Sequence, residues 1–150
     1  SYGDILFRHY VLDQLLKTNS DIVLVADAFW QDRDPNPQSR TRDLVKCAEP
    51  FTIKYLDEEE VLLKSIGHDF VTEEIHGEWI GLAKFSTNGS KIIHNEIVEM
   101  QKDGTAQYAT MIELFERLIK KQESIHTIYI SGNWLDIDNA NDLADAQKFL

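Results

Sequence analysis

Within these 150 residues, the side chains best suited to chemistry are aspartates at junctions between loops and regular elements. Gly3-Asp4 stands at the mouth of an expected helix, and Asp27 closes a continuous apolar run. Asp136 and Asp138 follow the last expected strand, two residues apart. In an extended segment residues two apart face the same side, so the carboxylates of Asp136 and Asp138 would share one side. A few hard oxygen ligands, with room left for phosphates and water, are what Mg²⁺ requires. Each aspartate also has an ordinary use: Asp4 as a helix N-cap, Asp138-Asn139 as the start of the final helix. Other chemistries find no support. The five histidines show no i, i+4 ligand spacing, and there is no Gly-x-Ser-x-Gly elbow, Walker loop or Gly-x-Gly-x-x-Gly. The single cysteine, Cys47, lies in the apolar run Leu44-Val45-Lys46-Cys47-Ala48 and reads as a buried, inert thiol.

Charge narrows the choice of ligand. Fifteen Lys and Arg against 26 Asp and Glu give a net charge of −11, which opposes general binding to nucleic acid and docking on anionic membranes. A phosphate ligand would therefore need cations held by carboxylates. One cysteine makes no intramolecular disulfide, so a cytoplasmic protein is expected, and no apolar run approaches the roughly 18–20 residues that span a bilayer. With 43% apolar and 27% charged residues, the composition is that of one globular domain with a real core.

The elements that must position these aspartates read as α/β. Residues 4–17 carry apolar positions three and four apart and predict a helix, and residues 21–27 predict a strand buried on both faces. Residues 31–42, with two prolines and five charges, predict a long loop. Strands are expected at 44–47, 51–55, 61–66 and 78–85, with a solvated acidic turn at 57–60 and a bulge or close backbone approach at Gly81. Asn88-Gly89 reads as a turn. Helices follow at 91–102, ended by Gly104, and at 110–122, then a strand at 126–130. A final helix near 140–149 is expected to pack Leu143, Ala146 and Leu150.

Together the segments Gly3-Asp4-Ile5-Leu6-Phe7, Gly77-Glu78-Trp79-Ile80-Gly81-Leu82 and Gly132-Asn133-Trp134-Leu135-Asp136-Ile137-Asp138-Asn139 resemble the second half of a nucleotidyltransferase. The nearest group is the cytidylyltransferases acting on phosphonates or phosphocholine, of the type fused to phosphoenolpyruvate phosphomutase. The resemblance covers essentially all 150 residues and implies a Rossmann-like three-layer α/β/α fold. It further implies that Asp4, Asp136 and Asp138 hold a catalytic Mg²⁺ while CMP passes from CTP to a small phosphonate or phosphorylated amine, releasing pyrophosphate. Glu78 matches the acceptor pocket, where it could pair with an ammonium group. Trp79 and Trp30 are candidates for cation–π contact or for core packing, and Asp27 for substrate binding.

The family's glycine-rich nucleotide loop precedes the Gly-Asp segment, and nothing here matches it. Residues 1–150 therefore read as the C-terminal portion of one nucleotidyltransferase domain, incomplete at its N-terminus and expected to be inactive alone. A homo-oligomer, or fusion to a mutase domain, would be in keeping with the resemblance. The alternative reading is a non-catalytic α/β module for assembly or small-ligand binding that kept the fold and lost the chemistry.

Overall fold

A computed structural model describes residues 1–32, 41–53, 59–137 and 140–149. Its central element is the apolar run, which forms strand β2 (Ile22–Asp27) with every residue buried. Alternate residues enter two separate clusters. Ile22, Leu24 and Ala26 pack with strands β3 (Leu44–Cys47) and β4 (Val61–Gly67) and with helix α3 (Met111–Lys120), through Val45, Leu63, Ile66 and Phe115. Val23 and Val25 pack with Val11 and Leu15 of helix α1 (His9–Lys17), and with Ile80 and Ile128 of strands β5 (Gly77–Phe85) and β6 (His126–Ile130). Covering both faces explains why this strand reads as unbroken apolar sequence.

The five strands close a ring in the order β2-β5-β3-β4-β6, with β2 and β6 parallel and the other neighbours antiparallel. Between β2 and β5 the register jumps from Leu24–Ala83 to Ala26–Trp79, so β5 carries extra residues around Gly81. Gly81 has φ +77°, and a Cβ there would lie 2.4 Å from the Tyr2 ring. Both the bulge and the close approach expected at Gly81 are present. The expected α/β character is borne out.

Four local expectations are corrected. Residues 4–17 do not form one helix: strand β1 (Ile5–Phe7) comes first, and Arg8, not Asp4, occupies the N-cap position of α1. Helical spacing and a short apolar strand coincide there, and pairing with a distant segment decides the outcome. Phe51 and Thr52 are not in a strand, while 54–58 and most of the predicted loop lie outside the described residues. Asn88-Gly89 is no turn but the first turn of helix α2 (Thr87–Asp103), whose N-cap Ser86 accepts from both backbone N–H groups. Gly89 is needed for packing, since a Cβ there would meet the Asp21 carbonyl oxygen at 2.1 Å. In helix α4 (Ala140–Phe149), Ala146 is buried as expected but Leu143 is 55% exposed; Leu150 lies outside the described residues.

Helix ends follow local chemistry. Thr110 and Glu113 form a capping box at the start of α3, and Gly104 ends α2 in the left-handed conformation. Among the described residues no helix is long and apolar enough to cross a membrane.

Helices α2 and α3 are joined by a charge network that the apolar pattern did not reveal. Glu96, only 4% exposed, accepts from Arg117 Nε at 2.6 Å and from Lys121, while Arg117 also donates to Asp103 at 2.9 Å. Burial alone would raise the Glu96 carboxyl, but the bonds from Lys121 and Arg117 outweigh it and hold it below the usual range. A depressed native value means the unfolded chain binds the proton first. Stability from Glu96 is therefore fully present above an unfolded value near 4.3 and is lost as pH falls below it through the lower folded value. Glu96→Gln should cost about 1–2 kcal/mol at neutral pH and flatten the acid limb of a stability-versus-pH curve measured by urea unfolding.

Candidate functional site

Strand β1 pairs antiparallel with strand β7 (Trp134–Asp136), with Ile5 opposite Asp136 and Phe7 opposite Trp134. The Ile137 N–H donates to the Asp4 carbonyl oxygen at 2.9 Å, extending the ladder by one step. Asp4 and Asp136, 132 positions apart in the chain, thus stand at the same end of a two-stranded ribbon. Asp4 is exposed and Asp136 partly so. Asp138 lies outside the described residues.

The Tyr2 hydroxyl marks the neighbourhood. It donates to Asp43 Oδ2 at 3.2 Å, its ring packs on Trp79 at 5.1 Å, and its backbone N–H bonds the Gly81 carbonyl oxygen. Burial, then the Asp43 carboxylate, then Asp4 and Asp136 push its phenol well above the usual range. It stays a neutral donor among carboxylates. Tyr2 and Asp43 were not foreseen; the signal for Asp43 was its position at a loop–strand junction, the criterion that singled out Asp4 and Asp136.

The other foreseen residues lie deeper. Asp27 is fully buried at the end of β2, where its carboxylate accepts three internal hydrogen bonds. Glu78, 2% exposed, is the register partner of Asp27 on one side and Leu44 on the other. Trp79 is 4% exposed, donates its indole N–H to the Leu82 carbonyl oxygen, and meets Phe115 edge-on: its ring is core. Trp30 opens a short 3-10 turn (Trp30–Asp32) with the Arg42 guanidinium 5.4 Å from its ring.

Among the described residues no group of three or more His, Cys, Asp or Glu side chains is arranged to hold a metal ion. Mg²⁺ does not require one, since it is commonly bound through one or two carboxylates together with substrate phosphates and water. Asp4 and Asp136 are hard oxygen donors of that kind, brought to one ribbon end at successive register positions, with Asp136 opposite Ile5.

Comparison with known proteins bears on this arrangement. No protein-family model matches the chain. A CTP:phosphoglutamine cytidylyltransferase of Campylobacter jejuni is 26% identical over 154 residues, covering 95% of this chain and 56% of its own length. The solved inositol-1-phosphate CTP transferase from T. maritima matches with a TM-score of 0.65 at 13% identity, over 98% of this chain and 51% of its own. The chain has the fold of that half. It spans about half the length of the relatives it matches.

The Tyr2 phenol offers a direct check. An alkaline absorbance titration should contain one component, absent in Tyr2→Phe, that ionises well above the ordinary value near 10. Asp43→Asn should move that component down. Because the folded value is raised, the unfolded chain loses this proton first, and stability declines as pH rises beyond about 10.

Proposed function

We propose that this chain forms the acceptor- and metal-binding part of a cytidylyltransferase that moves CMP from CTP to a small phosphorylated or phosphonate acceptor. The observation that carries the reading is the β1–β7 pairing, which brings the Asp4 and Asp136 backbones to one end of the ribbon, one register step apart. Support comes from similarity along nearly the whole chain to two CTP-using enzymes, whose named acceptors, phosphoglutamine and inositol-1-phosphate, are both small phosphorylated molecules. In the proposed reaction an acceptor phosphate or phosphonate oxygen bonds to the α-phosphorus of CTP, the α–β anhydride bond breaks, and pyrophosphate leaves. Asp4 and Asp136, with Asp138, are the proposed holders of Mg²⁺, whose contribution when bound is to offset charge on the phosphate oxygens. The chain's own part is to orient acceptor and ion, because phosphoryl chemistry is governed chiefly by positioning and electrostatics. Glu78 is the proposed partner for an acceptor ammonium group. A phosphonate acceptor, and a mutase domain on the same polypeptide, belong to the same proposal, as does the inactivity of residues 1–150 alone.

The test is pyrophosphate release from CTP by the full-length protein, with a phosphonate and a phosphorylated amine offered as acceptors. No release with either, or equal release from other nucleoside triphosphates, would overturn the reading. Asp136→Asn should lower kcat by roughly a hundredfold or more, with excess Mg²⁺ restoring it in part. Glu78→Gln should instead raise the acceptor KM about ten- to a hundredfold, as expected for loss of a charge-assisted contact of about 1.5–3 kcal/mol. Identical defects in the two variants would count against this division of roles.

A further inference from the structure

Asp136 reaches the ribbon end through a very tight connection. Between β6 and β7 only Ser131, Gly132 and Asn133 intervene, and Gly132 and Asn133 both take left-handed backbone conformations, with φ +65° and +63°. For asparagine that conformation is uncommon and persists where surrounding contacts hold it. The contacts here come from three directions. The Arg8 N–H donates to the Asn133 carbonyl oxygen at 3.0 Å, and the Asn133 side-chain amide donates to the Ser131 carbonyl oxygen at 3.1 Å. From beneath, Asp27 Oδ1 accepts from the Gly132 N–H at 3.0 Å and from its own Phe29 N–H at 3.0 Å, while Oδ2 accepts from Trp134 Nε1 at 2.9 Å.

We propose that Asp27 is a positioning residue for Asp136, acting through the Gly132 backbone and the Trp134 indole. This inference rests on the metal role given to Asp136 above. Trp134 and Asp136 lie two apart in one strand and therefore on the same face of β7. Tying the Trp134 indole to a fixed carboxylate sets the rotation of β7 about its own axis, and with it the direction of Asp136. The anchor is firm because Asp27 ends a strand in which every residue is buried, and is itself 0% exposed. At that burial the Asp27 carboxylate accepts from the Phe29 and Gly132 N–H groups and from the Trp134 indole. Its two oxygens bracket the turn, one accepting from the Gly132 N–H and the other from the Trp134 indole just beyond Asn133.

The experiment uses Asp27→Asn and Trp134→Phe in the full-length protein, with Mn²⁺ as the metal probe. Asn retains one oxygen for the backbone donors but turns an N–H₂ toward the indole, and Phe removes the same bond from the other side. Each variant, confirmed folded, should bind Mn²⁺ roughly tenfold more weakly, within the range seen when groups supporting metal ligands are removed. The double variant should be no worse than either single one, as for two partners of one interaction. In Asp27→Asn the Trp134 indole N–H resonance should shift and the amides of 134–137 should exchange faster. Unchanged Mn²⁺ affinity in folded variants would overturn the proposal, marking the Asp27–Trp134 bond as structural only. If Asp136→Asn leaves Mn²⁺ binding intact, it is the metal role of Asp136 that fails. In that case amide exchange decides: protection at 134–137 unchanged in Asp27→Asn would overturn the tether independently of any metal.

Discussion

A six-residue strand with no exposed residue must have a hydrogen-bonding neighbour on each edge and an apolar cover on each face. Strand β2 meets that requirement with β5 and β6 on its edges, α1 over Val23 and Val25, and α3 over the opposite side. Its last residue carries a carboxylate into the same dry environment. A buried carboxyl group calls for hydrogen-bond partners, and these include the Phe29 N–H of its own turn, the Gly132 N–H of the β6–β7 connection and the Trp134 indole at the start of β7. The solvation demand of one buried aspartate thus fixes where the chain goes next. It holds the turn that delivers β7, and β7 in turn supplies a partner for β1.

Most of the elements were legible in the sequence because their signals are local. The run 22–27 could be read as doubly covered from its lack of alternation, and Thr110 and Gly104 mark helix ends through side chains or backbone freedom acting within a few residues. The errors arose where local signals are ambiguous. Ile5-Leu6-Phe7 fits an amphipathic helix and a short strand equally well, and only a partner more than 120 residues away distinguishes them. Gly89 resembles a turn glycine because sequence alone does not show the Asp21 carbonyl against its missing Cβ.

The candidate site was legible in kind and partly in place. Asp4 and Asp136 were singled out by residue type and junction position, and their proximity follows from a strand pairing that periodicity does not encode. Glu96 escaped because a charged residue inside a helix ordinarily faces solvent. Here Arg117 on α3 and Lys121 at its C-cap draw it into the interface between helices. Tyr2 escaped for a different reason: nothing in an exposed-looking Ser-Tyr-Gly stretch announces that Gly81, across the fold, leaves room for the ring.

The electrostatics of the ribbon end argue for the order in which ligands arrive. Asp43, Asp4 and Asp136 all act on the Tyr2 hydroxyl, so the local field is negative in a protein whose net charge is −11. A triphosphate approaching that field alone would be repelled, whereas one carrying a divalent cation presents its positive side to the carboxylates. The raised phenol of Tyr2 suits this arrangement. A neutral hydroxyl beside carboxylates donates a hydrogen bond to Asp43 and adds no further negative charge, whereas an ionised group in its place would deepen the repulsion. On the proposed reading, Asp4 and Asp136 at the ribbon end would hold a divalent cation whose charge would offset that of a triphosphate, and the protonated Tyr2 phenol adds no further negative charge beside them.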